Sequence, residues 1–114
     1  MVKKDDNYSL RSSLRQFIRL VREIDDSSYY KKRLDDNAYK MLHIANLTPL
    51  ETGAFVAKNI REGLALSFDT EFLLGEALFH KDLKSYKELS HYLEEIRDIF
   101  YGWYMNDKKK EKEK

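Results

Sequence analysis

Cysteine is absent from the 114 residues, proline occurs once and glycine four times. The lack of cysteine removes a disulfide framework, a thiolate metal site and a cysteine nucleophile together, and it fits a chain kept in a reducing interior. The scarcity of proline and glycine leaves little to interrupt long helices, and no Gly-rich phosphate loop is present. No stretch approaches the roughly 20 apolar residues that a membrane span requires. The opening MVKKDDNYSL carries positive charge with no apolar run behind it, unlike a secretory leader. The expectation is an intracellular, cytoplasmic, soluble protein with no membrane association.

An excess of charge of one sign is also missing. Lys and Arg number 21 against 20 for Asp and Glu, a net charge of +1, so bulk electrostatics neither demands nor excludes a polyanion. The distribution is less even. Residues 1 to 33 hold nine basic and five acidic side chains, whereas residues 34 to 80 hold three and seven. The amino-terminal third is the basic end.

What is present is helical patterning, with no strand-like alternation. Over Leu83 to Met105, Tyr86, Leu89, Leu93, Ile96, Phe100 and Trp103 recur at three- and four-residue steps, with Tyr92 and Ile99 beside them. That spacing lines one face of a helix and requires other elements to cover it. Upstream, Leu10, Leu14, Phe17, Val21 and Ile24 predict a first helix starting near Asn7 or Ser9, either of which can cap it, and stopping at Asp25-Asp26-Ser27-Ser28. A second helix is expected over Tyr29 to Asn46, with Tyr30, Leu34, Ala38, Met41, Leu42 and Ala45 inward. Thr48-Pro49-Leu50-Glu51 reads as a capping box with proline at the first helical position, opening a third helix to about Leu66. There Gly53, Ala54 and Ala57 would allow close approach of a neighbour, and Gly63 would weaken the last turn. Ser67 to Thr70 reads as a break, followed by a short helix over Glu71 to Lys81 buried on most sides, with Asp82 or Ser85 capping the last one.

The expected fold is all-α: a compact, mostly antiparallel bundle of four to five helices over 1-105, one domain, followed by a disordered Lys/Glu tail over 106-114. Its size and helical content are similar to those of small subunits of RNA-guided defence complexes, a likeness at the level of fold.

Four arginines stand out. Arg11, Arg15, Arg19 and Arg22 fall at steps of four, four and three, a stripe beside the apolar face of the first helix with no acidic residue inside it. Four-residue steps place guanidinium groups about 6 Å apart along the axis, comparable to phosphates on a nucleic-acid strand, and arginine suits bidentate phosphate contacts. The alternative is a solvated face whose arginines pair with Asp35, Asp36, Glu62 or Glu94. Tyr101, Trp103 and Tyr104 form an aromatic cluster near the end of the last helix. Trp103 continues the core seam, and aromatics at a helix end suit a protein interface or base stacking.

Two further constellations bear on function. Glu88 and His91 form one copy of the Glu-x-x-His half-motif that di-iron bundles use twice, which Glu62, Glu71 and Glu76 would have to complete. In chain order, the helix opened by Leu47-Thr48-Pro49-Leu50-Glu51, the short helix at Glu71 and a third from near Lys84 give the arrangement of a helix-turn-helix. That opening loosely resembles the first helix of response-regulator and sigma-factor DNA-binding domains. The implied reading helix carries Glu88, Glu94 and Glu95 against Lys84, Lys87 and Arg97, an acidic balance for a groove reader. The functional expectation is a non-enzymatic helical interaction subunit without cofactor or metal. It would assemble with a protein partner or with itself, and the arginine stripe would touch a nucleic-acid backbone, RNA or DNA. A DNA-binding regulator comes second and a metal-binding bundle third.

Overall fold

The computed structural model describes the backbone of residues 4–24, 29–47 and 54–112, with side chains over 6–24, 29–47 and 57–106. Among the described residues there are four helices: α1 (Lys4–Glu23), α2 (Tyr29–Leu47), α3 (Ala54–Leu78) and α4 (Leu83–Lys112). Each packs on its chain neighbours, and α4 closes the ring against α1. The result is a square, up-and-down bundle in which α1 is diagonal to α3. Its long extent of 49 Å against 22 and 21 Å across is set by α4, whose 30 residues span about 45 Å.

The seam of α4 forms the core. Leu89, Leu93, Ile96, Phe100 and Trp103 are buried, and Tyr86, Tyr92 and Ile99 pack at its margin. Leu10, Leu14, Phe17, Ile18 and Val21 of α1 cover it from one side. Leu34, Ala38, Met41, Ile44 and Ala45 of α2, with Ile60, Leu73, Leu74, Ala77 and Leu78 of α3, complete the cluster.

Three expectations about α3 are corrected. First, α3 runs without a break through Ser67–Thr70. Both hydroxyls turn inward onto their own helix: Ser67 Oγ donates to the Leu64 carbonyl at 2.6 Å and Thr70 Oγ1 to the Leu66 carbonyl at 2.6 Å. Back-bonding of this kind lets Ser and Thr sit in a helix interior. Secondly, the stretch around Glu71 is not buried on most sides, because Phe72 and Phe79 face outward while Leu73 and Leu74 face in. Thirdly, Gly63 is a packing residue. A Cβ there would fall within 2.8 Å of three ring carbons of Phe100, so the glycine is what allows the Phe100 ring to lie against α3.

Helix ends in the α1–α2 pair are closed by side chains of the opposite helix. Asn7 does not cap α1, which begins at Lys4. It is buried, and its Nδ2 donates to the Ala45 carbonyl at 2.7 Å, one of the last carbonyls of α2 that lack an intrahelical donor. At the other end Lys31 Nζ donates to the carbonyls of Ile24 at 2.7 Å and Arg22 at 3.3 Å, setting a cation at the negative end of α1. Between α3 and α4 the turn closes through amides of Lys81 and Asp82 donating to the Leu78 carbonyl. Asp82 then caps α4: its carboxylate accepts from the Ser85 amide at 3.1 Å and the Ser85 hydroxyl at 2.7 Å. The Ser85 hydroxyl and amide hold the Asp82 carboxyl below the usual range, with Lys84 adding to them. The capping box expected at Thr48-Pro49-Leu50-Glu51, Gly53 and the Asp25–Ser28 cluster lie outside the described residues. Over the expected Lys/Glu tail, 106-114, the backbone continues as helix to Lys112, and side chains are described only to Asn106.

Candidate functional site

On α1 the core residues Leu10, Leu14, Phe17 and Val21 occupy one face, and the arginine stripe lies about a third of a turn away, toward α2. Arg15, Arg19 and Arg22 are exposed and Arg11 is half-buried. Arg15, Arg19 and Arg22 line an open groove of about 390 Å³ whose other walls are Ile18, Leu42, Tyr39 and Glu23. Tyr39 comes from α2 and is partly exposed. The Arg22 guanidinium donates to the Tyr39 hydroxyl and sits 5.5 Å from the ring centroid, an arrangement in which cation–π attraction and a hydrogen bond fix one arginine of the row.

None of the four arginines makes an ion pair with a described carboxylate; Asp35, Asp36, Glu62 and Glu94 do not pair with them. Nε of Arg11 is buried with no hydrogen-bond partner among the described residues. Among the described residues that line the groove the acid is Glu23, which sequence spacing places off the stripe. Chemically the groove offers a cationic edge, an apolar floor of Ile18 and Leu42, and an aromatic side at Tyr39. An anion with an attached apolar or aromatic group matches that combination.

The aromatic cluster of α4 is divided. Trp103 is 4% exposed and meets Phe100 edge-on at 5.8 Å, so it belongs to the core and is not available to a partner in this form. This corrects its assignment to an interface: the seam period that brought it to notice is a burial signal. Tyr101 is 52% exposed, as is Met105 nearby at 46%, and Tyr104 packs at the core margin. Only Tyr101 of the three presents most of its ring outward.

The Glu-x-x-His pair does not assemble. His91 Nε2 lies 3.3 Å from Glu95, four residues on, and not against Glu88, and among the described residues no group of three or more His, Asp or Glu is placed to hold a metal ion. A second groove, about 270 Å³, lies between α3 and α4, lined in part by Glu71, Lys87, His91, Glu94 and Arg97. Its charges are of both signs, and Arg97 is paired with Glu71 at 2.5 Å, so it has no net preference for an anion.

Sequence reading missed the polar tie between α2 and α3. Asp69 accepts from the buried Asn37 Nδ2 at 2.8 Å and from Arg33 at 3.3 Å. An asparagine on the inward side of an otherwise apolar face is the signal that points to it. Among the described residues no helix is long and apolar enough to cross a membrane. Comparison with protein-family models, with curated proteins and with solved structures returns no match for this chain.

Proposed function

We propose that the protein is a non-catalytic helical subunit that contacts the phosphate backbone of a single-stranded nucleic acid through Arg11, Arg15, Arg19 and Arg22 while a protein partner engages another face. The observation that carries this reading is the row of Arg15, Arg19 and Arg22, exposed along the α1–α2 groove and continued by the half-buried Arg11, with none of the four paired to a described carboxylate. Surface arginines that serve only solvation are commonly interleaved with carboxylates at three- and four-residue spacing; here, among the described residues, only Glu23 stands so, four residues after Arg19, and it makes no ion pair with the row. Tyr39 beside the row supplies a face on which a base can stack. Tyr101 and Met105, exposed toward the end of α4, are the side chains offered to protein.

A single-stranded mode is favoured over a helix-turn-helix one. The latter needed a short second helix before α4, and α3 instead runs unbroken to Leu78.

Fluorescence anisotropy with labelled single-stranded RNA tests the reading. Three to four phosphate contacts give a log–log salt slope of about −2 to −3, so affinity should fall roughly twenty- to fifty-fold between 50 and 200 mM salt. Replacing all four arginines by glutamine should flatten that slope and abolish binding at low salt. Unchanged binding by that variant would remove the stripe from the reading, and preferential retention of duplex DNA of one sequence would favour the regulator.

A further inference from the structure

The outer face of α3 carries a second seam. Arg61, Ala65, Phe68, Phe72 and Gly75, with Phe79 one residue past the end of the helix and still bonded through its amide to the Gly75 carbonyl, follow one another at steps of four, three, four, three and four, the spacing of a heptad stripe. They lie on the side of α3 opposite Ile60, Leu74 and Ala77, which point into the core. Phe68 is 54% exposed, Phe72 66% and Phe79 49%, and Leu83, at the start of α4, is 48% exposed. A bundle helix whose inner stripe is filled ordinarily presents polar side chains outward. Phe68, whose ring lies 5.7 Å from the Arg97 guanidinium, Phe72 and Phe79, which meets Tyr86 on one side, form a line of exposed apolar side chains of the kind that marks an interaction site.

The order of residues in the seam says what covers it. The six positions are symmetric about residue 70: Phe68 and Phe72 stand two residues to either side, Ala65 and Gly75 five, Arg61 and Phe79 nine. A two-fold interface requires a self-complementary patch, in which residue i meets j while j meets i. A second copy of α3 laid antiparallel on the first satisfies this requirement. Phe68 then meets the partner's Phe72 and the reverse, while Ala65 meets the partner's Gly75, which puts small residues on both sides of the aromatic centre and lets the helices close.

Charge completes the match. Arg61 and Glu76 are both exposed and neither makes an ion pair with a described residue. Within one chain they are 15 residues apart, about 22 Å along the axis, too far to pair. In the antiparallel arrangement each Arg61 comes beside the partner's Glu76, giving two equivalent pairs.

We propose that the protein forms a two-fold dimer through antiparallel packing of the outer face of α3. Since α1 is diagonal to α3 in the bundle, the two arginine rows face away from the dimer contact, on opposite sides of the assembly. The exposed parts of three phenylalanines and Leu83 amount to roughly 400 Å² per copy, taking about 200 Å² for each whole side chain. That is half of the roughly 800 Å² per partner of a standard interface, the size of a weak, concentration-dependent contact. The proposal does not rest on nucleic-acid binding.

The absence of cysteine from the chain makes the register directly readable. A double variant, Ala65→Cys with Gly75→Cys, should form a disulfide-linked dimer under mild oxidation, because the antiparallel register sets position 65 against position 75 of the other copy. Each single variant should stay monomeric on a non-reducing gel, since its own symmetry mate lies about 15 Å away along the axis. A side chain at Gly75 meets nothing within 4 Å, so the fold accommodates the cysteine. In sedimentation equilibrium the unaltered chain should dimerise and Phe72→Glu should not, with helical circular dichroism the same in both. A wild-type chain that stays monomeric to several hundred micromolar would overturn the proposal. So would cross-linking by the single variants as efficient as by the double one, or a dimer that survives Phe72→Glu and is lost in Tyr101→Ala.

Discussion

The two helical pairs that make up this bundle are joined by different means. Between α1 and α2 the specific ties are polar: Asn7 holds the Ala45 carbonyl, Lys31 holds the carbonyls of Ile24 and Arg22, and Arg22 donates to Tyr39. Between α3 and α4 the buried ties are apolar, with Phe100 seated where Gly63 lacks a side chain and Phe79 meeting Tyr86 edge-on at 5.3 Å, while the Arg97–Glu71 ion pair joins them at the surface. Their outer surfaces differ in the same sense, arginine on one pair and phenylalanine on the other. Polar ties satisfy helix-end groups and so fix register at the ends of the rods, whereas close apolar contact fixes how near two rods come along their length.

The comparison is broken most severely at Phe100. Phe100→Ala removes a fully buried ring and should cost about 3–5 kcal/mol in urea denaturation. Gly63→Ala should cost about 1–3 kcal/mol in the parent chain, because the new methyl group overpacks that ring. In the Phe100→Ala background the clash is gone and the helix-propensity gain of roughly 1 kcal/mol remains, so the same substitution should stabilise. A double-mutant cycle without this reversal of sign would show that α3 and α4 are not held apart by that single contact.

For the α1–α2 pair the matching change is Asn7→Ala. It strands a buried carbonyl near the end of α2 and should cost about 1–3 kcal/mol, less than loss of the ring but concentrated in one place. Amide exchange should accelerate in the last turn of α2 and the first turn of α1 while α3 and α4 stay protected. Uniform acceleration over all four helices would mean that the tie contributes only to global stability.

This difference also explains what could be read from the sequence. The α4 seam, the inward faces of α1 and α2 and the four arginines were legible because apolar and basic residues repeat at helical spacing, and period is a local property. Tyr39 and Leu42 opposite the arginines were not, because they come from another helix. The same holds for Asn7, Lys31 and Asn37: each bonds a group at least seven residues away, and no local pattern encodes such a partner. The break expected at Ser67–Thr70 failed for a related reason. Hydroxyl residues cap helices or bond back within them, and burial, a tertiary property, decides which.

The smallest expected effect lies at the α3–α4 junction, where a carboxylate does at the start of α4 what the Lys31 ammonium does at the end of α1. Asp82 is ionised in the cap, and its folded pKa is lowered by the Ser85 hydroxyl and amide. A lowered folded pKa means that the contribution to stability is fully present above the unfolded value, 3.8. It is lost as pH falls through that value toward the folded one. Acid should therefore fray the first turn of α4 before it affects the polar ends of α1 and α2. The amides of Ser85 and Tyr86 should exchange faster as pH falls below about 4, after correction for intrinsic rates, and Asp82→Asn should remove that pH dependence while keeping an acceptable cap. The cap is exposed, so the global unfolding midpoint should shift only slightly. If the Asp82→Asn chain frays with the same acid profile, the carboxylate is not what closes this end, and the contrast between the two junctions reduces to the Lys31 contact alone.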